Sequence, residues 1–133
     1  MAKFVVDCGV VLRLAREELE VSAKHKLLAP TLLRSQTLST LHEAVHRGDL
    51  SAEKAREQLA RINAMPIRLL GDAVLRRRAW DLAEQLGWAE TYDAEYVALA
   101  QVQKSTLVSS DPKLVGKVKD LVPTATIDAL QRG

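Results

Sequence analysis

Phe4-Val5-Val6-Asp7 is a short apolar run that ends at an acid, and it predicts a buried strand followed directly by a carboxylate. Thr106-Leu107-Val108 repeats this pattern near the other end of the chain, with Asp111 shortly beyond it. Strands that are apolar at consecutive positions are typical of a parallel sheet that is covered on both faces. Because helix-type patterns lie between such runs, the sequence predicts an α/β fold.

The first half of the chain supplies two further segments of this kind. Leu27-Leu28-Ala29 is compatible with a very short strand or with the entry to the next helix, and Pro30 suits the first turn of a helix over residues 31–46. Gly48 would end that helix. The helix after the first strand has its predicted buried stripe at Val10, Val11, Leu14 and Ala15.

The second half continues the alternation. Ser51 predicts the cap of a helix, residues 66–70 predict a strand with proline at its start, and Thr91 predicts the cap of a helix over 92–102. The run 121–122 suggests an edge strand. Two further buried stripes are predicted, one at Ala52, Ala55, Leu59 and Ile62, and one at Leu75, Ala79, Leu82, Ala83 and Leu86. We therefore expect one domain over residues 1–133, a three-layer α/β/α domain with a short central parallel sheet.

Composition narrows the class of protein. The chain has 133 residues, a hydrophobic fraction of 47% and a net charge of +2, which is ordinary for a single globular domain and does not indicate a strongly basic nucleic-acid binder. No apolar run approaches the roughly 20 residues of a membrane span, and the N-terminal apolar run is too short for a secretory signal. Cys8 is the single cysteine, which excludes an intramolecular disulfide and a cysteine-rich zinc site. These features predict a soluble cytoplasmic protein.

Three acids are expected at one edge of the sheet. In parallel α/β sheets, ligands bind beyond the carboxyl ends of the strands, which is where Asp7 and Asp111 stand. Asp93 lies in the first turn of its predicted helix. Each acid alone is equally compatible with a helix cap, but clustered carboxylates resist joint ionisation unless a cation joins them. Mg²⁺ or Mn²⁺ suits such an oxygen site, and these ions activate water for phosphodiester hydrolysis.

Several segments resemble one family. Residues 92–100, YDAEYVALA, resemble the Y-D-A-x-Y-V-A-L-A signature of bacterial PIN domains, particularly the VapC-type toxins of type II toxin–antitoxin systems. FVVD at 4–7 resembles the family's opening strand and first acid, and LVSSDPKL at 107–114 resembles its L-V-[ST]-x-D-x-[KR]-L element. APTLLRS at 29–35 and GDLS at 48–51 are similar to the entry of its second helix and the turn that follows. The match spans nearly the whole chain in the expected order.

The resemblance implies an endoribonuclease that depends on Mg²⁺ or Mn²⁺. It also implies a homodimer and a small DNA-binding partner, a VapB-type antitoxin, that blocks the active site. Asp7, Asp93 and Asp111 fall on three of the family's acidic positions, which makes them the expected metal ligands and catalytic acids. Ser109 falls on its Ser/Thr position, which would hold water or phosphate near the metal.

Gln36 departs from the family pattern. In P-x-L-L-x-x-E the last residue is usually a fourth acid, and here it is an amide without charge. Since three carboxylates compensate less charge than four, we expect one firmly held metal at most, or weaker binding of two. Glu43 is seven residues further along the same predicted helix, about 10 Å along its axis, and is a poor substitute. A catalytically weak or inactive PIN-fold module that binds RNA or an antitoxin is therefore the alternative.

Other candidate sites and classes fit less well. A response-regulator receiver or a D-x-D phosphatase needs a second acid just after the first, and Gly9 stands there instead. His42 and His46 have zinc-pair spacing but are expected on the outer part of a helix. Tyr92 and Tyr96 lie one helical turn apart and are expected to pack in the core or in a dimer interface. Trp80 and Trp88 are compatible with stacking on RNA bases, but packing is the favoured role for both.

Overall fold

The computed structural model describes residues 2–133 and contains helices and short strands in alternation. In chain order the elements are β1 (Lys3–Val6), α1 (Cys8–Arg16), β2 (Lys26–Pro30), α2 (Leu32–His46), α3 (Ala52–Ala64), β3 (Ile67–Leu70), α4 (Ala73–Leu86), α5 (Tyr92–Val102), β4 (Thr106–Val108), α6 (Pro112–Val118), β5 (Thr124–Ala125) and α7 (Asp128–Gln131). The α/β class predicted from the sequence is confirmed.

All strands of the sheet run parallel, in the order β3-β2-β1-β4-β5. From β1 the chain steps outward in one direction to β2 and β3, and then returns across the sheet to β4 and β5 on the other side. Because parallel crossovers are right-handed, the two directions place their helices on opposite faces of the sheet. This produces the predicted three layers. The direction reverses between β1 and β4, which are direct neighbours.

The centre of the core is the pairing of β1 and β4 under helix α5. Val5, Val6, Leu107 and Val108 have no exposed surface. Helix α5 contacts β1, β2 and β4, and α4 in turn packs on α5. Six residues of α5 are buried, which explains its nearly continuous apolar sequence; these are Ala94, Tyr96, Val97, Ala98, Leu99 and Ala100. The stripe predicted for α1 is also buried at all of its positions.

Pro30 is not in the first turn of a helix, as the sequence suggested, but is the last residue of β2. It pairs with Leu70, and the amide of Thr31 donates to the carbonyl of Leu70 at 3.2 Å. Because donors alternate along a strand, the nitrogen of Pro30 faces the β1 side, where the pairing ends at Leu28. Proline is tolerated there because no N–H is needed, and α2 begins at Leu32 instead.

The predicted edge strand at residues 121–122 is wrong. Leu121 and Val122 both donate their amides to the carbonyl of Val118 and so extend the end of α6. The edge strand is β5, which pairs with β4 through Leu107↔Thr124 and Val108↔Ala125.

Two side chains are more exposed than their patterns predicted. Ala52 is exposed because it is the first residue of α3, and the buried positions of that helix are Ala55 and Ile62. Trp80 is 65% exposed on the outer side of α4 instead of packing in the core. In residues 2–133, no helix has the length and apolar character needed to cross a bilayer.

Candidate functional site

The carboxyl ends of β1 and β4 form a crevice, because the chain leaves these neighbouring strands toward opposite faces of the sheet. Asp7 directly follows β1, and Ser109 directly follows β4, with Asp111 two residues further on. Helix α5 leads into the start of β4 through residues 103–105, so it runs antiparallel to the strands. Its first turn, with Asp93, therefore lies at the same edge as Asp7 and Asp111.

A groove of about 660 Å³ opens at this edge. It brings together Asp93, Asp111 and Gln36, while Asp7 lies beside it and is half-buried. The other lining residues are Gly87, Trp88, Ala89, Glu90, Tyr92, Lys113, Leu114 and Lys117. The groove thus combines acids, an amide, two aromatic rings and two lysines.

Asp7 and Asp111 both cap helices. Asp7 Oδ1 accepts a hydrogen bond from the amide of Val10 at 2.9 Å, at the start of α1. Asp111 Oδ1 accepts from the amides of Lys113 and Leu114 at 3.0 and 3.4 Å, at the start of α6. The capping role that the sequence left open is therefore real for both acids. It does not exclude a second role, because a carboxylate has two oxygens and capping engages Oδ1 alone.

Burial and neighbouring carboxylates oppose the ionisation of Asp7 and of Asp93. Burial raises the pKa of Asp7, the Ser109 hydroxyl and the Val10 amide lower this pKa, and the charges of Asp93 and Asp111 raise it further. The pKa of Asp93 is also raised, first by burial and then by Asp111 and Glu90, while Lys117 lowers it. A bound cation would be stabilising where burial and neighbouring negative charge oppose the ionisation of carboxylates in this way.

Ser109 is nearly inaccessible, with 3% of its surface exposed. Its Oγ accepts a hydrogen bond from the amide of Asp111 at 3.1 Å. The side chain therefore fixes the loop between β4 and α6 and lies between the first and third acids.

Gln36 is hydrogen-bonded to the core. Its Oε1 accepts from the hydroxyl of Tyr96 at 2.6 Å, and Tyr96 is only 2% exposed. Tyr96 was expected to pack in the core or at an interface, and it does lie in the core. The hydrogen bond to Gln36 was not foreseen. A signal was available, since Tyr96 lies three residues after Asp93 and so shares its face of α5.

Some of the side chains that line the groove make contacts that the sequence did not predict. Lys117 Nζ lies 5.9 Å from the ring centroid of Trp88, within the range of a cation–π interaction. Lys113 and Lys117 are four residues apart and both line the groove. Glu90 also lines the groove, and the sequence patterns did not predict an acid there. The four-residue lysine spacing directly after Asp111-Pro112 was the signal available in the sequence.

The three-dimensional structure is similar to solved structures. PAE2754 from Pyrobaculum aerophilum superimposes with a TM-score of 0.78 and 22% identity, over 98% of this chain and 93% of that one. A chain of VapBC2 from Rickettsia felis, bound to a promoter DNA fragment, gives 0.67 and 10% identity, over 93% and 98% of the two chains. A chain of VapBC-1 from nontypeable Haemophilus influenzae gives 0.65 and 11%, over 95% and 98%. The chain has a PIN-like fold.

This PIN-like fold is what the sequence resemblance implied, and the likeness to VapBC structures confirms that resemblance at the level of the fold. No protein-family model matches the sequence. No curated protein is significantly similar to it. Because the structural relatives share so few residues with this chain, its chemistry has to be argued from its own side chains.

The oxygen donors at this edge of the PIN-like sheet are of the type that binds a hard cation, but their arrangement in the structure does not enclose one. Carboxylate, amide and hydroxyl oxygens are the ligands that Mg²⁺ and Mn²⁺ prefer. Across residues 2–133, however, no three His, Cys, Asp or Glu side chains are arranged as a group that could hold a metal ion. The carboxylates would have to turn toward a cation. The histidines do not provide an alternative site, since His42 and His46 are exposed and His25 contacts the carbonyl of Arg132.

Proposed function

We propose that this protein is a metal-dependent endoribonuclease, the toxin of a VapBC-type toxin–antitoxin pair. One observation carries the proposal. Three carboxylates from distant segments, Asp7, Asp93 and Asp111, lie at the edge where the strand order of a PIN-like sheet reverses, and burial, followed by the charges of Asp93 and Asp111, raises the pKa of Asp7.

The acids have assigned roles in this proposal. Asp7, Asp93 and Asp111 would hold Mg²⁺ or Mn²⁺, and the bound ion would polarise a phosphoryl oxygen and lower the pKa of a water molecule. Ser109 positions Asp111 through the hydrogen bond to its amide and lies beside Asp7. The two lysines of the groove place positive charge where the phosphates of an RNA strand would pass.

Gln36 is the reason for a second candidate function, a catalytically weak or inactive PIN-fold module that binds RNA or an antitoxin. The amide brings no charge to the usual position of a fourth acid, and its Oε1 already accepts a hydrogen bond from Tyr96. With three carboxylates instead of four, the site has less charge to hold a second divalent ion. One firmly held ion is therefore the most we assign to it.

The VapBC relatives support the proposed antitoxin, and the sequence resemblance suggests the homodimer. We assign to the protein a small DNA-binding VapB-type antitoxin, a homodimeric state and a cytoplasmic location, where RNA is available. The product of a short open reading frame next to the gene should copurify with the protein and suppress cleavage. Light scattering of the purified chain should give the mass of a dimer.

Cleavage of RNA by matched variants tests the main proposal. Structured and single-stranded RNAs are incubated with Mg²⁺ or Mn²⁺ and the parent, Asp93→Asn, Gln36→Glu or Asp81→Asn. Asp81 is an exposed acid on α4 that lines a different groove, so it controls for loss of surface charge. We expect cleavage by the parent and by Asp81→Asn, loss of cleavage in Asp93→Asn, and equal or faster cleavage by Gln36→Glu.

The same assay separates the two candidate functions. If the parent is inactive and Gln36→Glu cleaves RNA, the second candidate function is supported. In that case the site lacks only the charge of a fourth acid. If no variant cleaves any RNA, or if Asp93→Asn cleaves as well as the parent, the proposed nuclease site is wrong.

A further inference from the structure

The side chain of Gln36 is held by its amide oxygen. The hydroxyl of Tyr96, in α5, donates to Oε1 of Gln36, in α2, at 2.6 Å. This distance is usual for an O–H···O hydrogen bond and shorter than an N–H···O hydrogen bond normally is. The amide oxygen, and not the amide nitrogen, therefore faces the tyrosine, and the amide has one fixed orientation.

The Tyr96 hydroxyl is available only as the donor of this bond. The tyrosine is 2% exposed. Burial foremost, and then the nearby Cys8 and Asp7, raise the pKa of Tyr96, so the hydroxyl keeps its proton throughout the ordinary pH range. A buried hydroxyl proton needs an acceptor, and Oε1 of Gln36 provides it.

The nitrogen of the same amide reaches the groove beside the acids. The oxygen and nitrogen of an amide branch from one planar carbon, so an oxygen that is held toward the core leaves the nitrogen directed away from it. Within residues 2–133, the buried polar side-chain atoms without a partner are His25 Nδ1 and Ser105 Oγ, and Gln36 Nε2 is not among them. Gln36 lines the groove together with Asp93 and Asp111. Its Nε2 is therefore the atom that the amide presents there.

We propose that Gln36 binds the phosphate of the substrate, with Nε2 donating to a non-bridging phosphate oxygen, and that Tyr96 is the positioning residue that turns this donor toward the groove. The inference rests on the proposed function and assigns one more residue to the same site. A glutamine binds a cation through its carbonyl oxygen, and in Gln36 that oxygen is engaged by the core. Gln36 thus contributes a hydrogen-bond donor and not a metal ligand.

The charges around Gln36 favour a neutral donor. Asp93 lies three residues before Tyr96 on the same face of α5, so the amide that Tyr96 holds lies near this acid. Asp93, Asp111 and Glu90 repel a phosphate in the groove. An uncharged N–H group adds an attraction for the phosphate without competing with a cation for the carboxylates. An acid at position 36 would instead add to the repulsion.

The signals of glutamine side-chain amides in a nitrogen–proton correlation spectrum locate the contact. Isotope-labelled protein is titrated with dimethyl phosphate, a phosphodiester without a base, in one arm with a chelator and in another with Ca²⁺. Sodium chloride at the same ionic strength controls for salt. The Gln36 signals, assigned by their loss in Gln36→Met, should shift. Those of Gln85, an exposed glutamine that lines a different groove, should not.

The affinity for a labelled RNA oligonucleotide, measured by anisotropy in the same two arms, gives the size of the effect. Gln36→Met keeps the length of the side chain and removes the donor, and it should weaken binding about tenfold. This is near the lower end of the ~1.5–3 kcal/mol of a hydrogen bond to a charged group, because the groove is open to water. Gln85→Met should bind like the parent. Gln36→Glu should weaken binding in the chelator arm, so any gain in its cleavage should lie in kcat while its KM rises.

Tyr96→Phe tests the positioning role. The variant keeps the Gln36 donor but frees its amide to rotate, so binding should weaken about 2- to 5-fold as the competent orientation becomes one of several. In a Gln36→Met background the same substitution should have no further effect on affinity, because the donor is already absent. A purely structural role of Tyr96 would weaken binding equally in the two backgrounds.

The inference is overturned if the Gln36 signals shift in neither arm, if Gln36→Met binds RNA like the parent, or if Tyr96→Phe weakens binding equally in both backgrounds. Failure of the nuclease proposal would look different. The expected shifts and affinities without cleavage in Mg²⁺ or Mn²⁺ would remove only the nuclease. Cleavage by the parent, with unchanged affinity in Gln36→Met, would remove only the phosphate contact.

Discussion

Replacing Tyr96 with phenylalanine isolates the contact that holds Gln36. The Tyr96 hydroxyl donates to Gln36 Oε1 at 2.6 Å, and the tyrosine ring is almost fully buried in α5. Phenylalanine fills the same space apart from the hydroxyl oxygen. The substitution therefore removes a hydrogen bond without opening a cavity of consequence, and it leaves Gln36 without a donor from the core.

The expected loss of stability is modest. A neutral hydrogen bond contributes a net ~0.5–1.5 kcal/mol to folding, and the larger penalty of an orphaned group applies only when that group is cut off from water. Gln36 is half-buried and lines the groove, so water can replace the lost donor. We expect the free energy of unfolding to fall by about 1 kcal/mol and the Tm to fall by about 2–6 °C for a chain of this size.

Urea unfolding followed by circular dichroism measures this loss, with Tyr92→Phe as the matched control one helical turn earlier. Tyr92 is half-exposed, so its substitution should change stability by less than about 0.5 kcal/mol. In a Gln36→Met background, Tyr96→Phe should lose about 1 kcal/mol less than in the parent, because its partner is already gone. Equal losses in the two backgrounds, or an equal loss in Tyr92→Phe, would refute the assigned contact.

Three further outcomes are expected. In the presence of a chelator, the free energy of unfolding should fall as the pH rises above 3.8. Burial, followed by the charges of Asp93 and Asp111, raises the pKa of Asp7 in the folded state. Above pH 3.8 the folded protein therefore keeps a proton that the unfolded chain has lost. Asp7→Asn keeps an oxygen that can cap the helix, and it should flatten this pH dependence of the free energy of unfolding in urea. An unchanged pH dependence would show that Asp7 is not its source. Burial raises the pKa of Cys8 to about 11. Native protein at about pH 8 should therefore react with iodoacetamide at least ~100-fold more slowly than urea-unfolded protein, whose thiol has a pKa of about 8.5, and equal rates by mass spectrometry would exclude this. Mg²⁺ or Mn²⁺ at about 100 times its Kd should stabilise the parent by roughly 2.7 kcal/mol in thermal unfolding. The ion should have little effect on Asp93→Asn, and equal stabilisation of both would place the ion elsewhere.

The parts of the fold that were predictable are those in which local pattern and tertiary position agree. FVV at residues 4–6 is apolar at each position because β1 is the central strand, covered on both faces. The apolar α5 likewise matches its position against three strands. The shared edge of Asp7 and Asp111 followed from the same patterns, because carboxyl ends of neighbouring parallel strands meet.

The errors arise where tertiary contacts decide between similar local choices. Leu121-Val122 and Thr124-Ala125 are both short β-compatible pairs, and the second is the strand because β4 reaches it: Ser109 donates its amide to the carbonyl of Ala125. Pro30 was placed in a helix because its restricted φ suits either element. The Gln36–Tyr96 and Lys117–Trp88 contacts depend on how separate elements of the fold pack together, which the pattern of a single segment does not contain.

The pairing of β1 with β4 has a consequence for synthesis of the protein. β1 leaves the ribosome well before its neighbour on one side, Thr106–Val108, because most of the other elements lie between these two strands in the chain. Until then one edge of β1 is open and neither Ser109 nor Asp111 has emerged. A chain that terminates before β4 therefore has no complete acid cluster, even where the earlier strands have already paired.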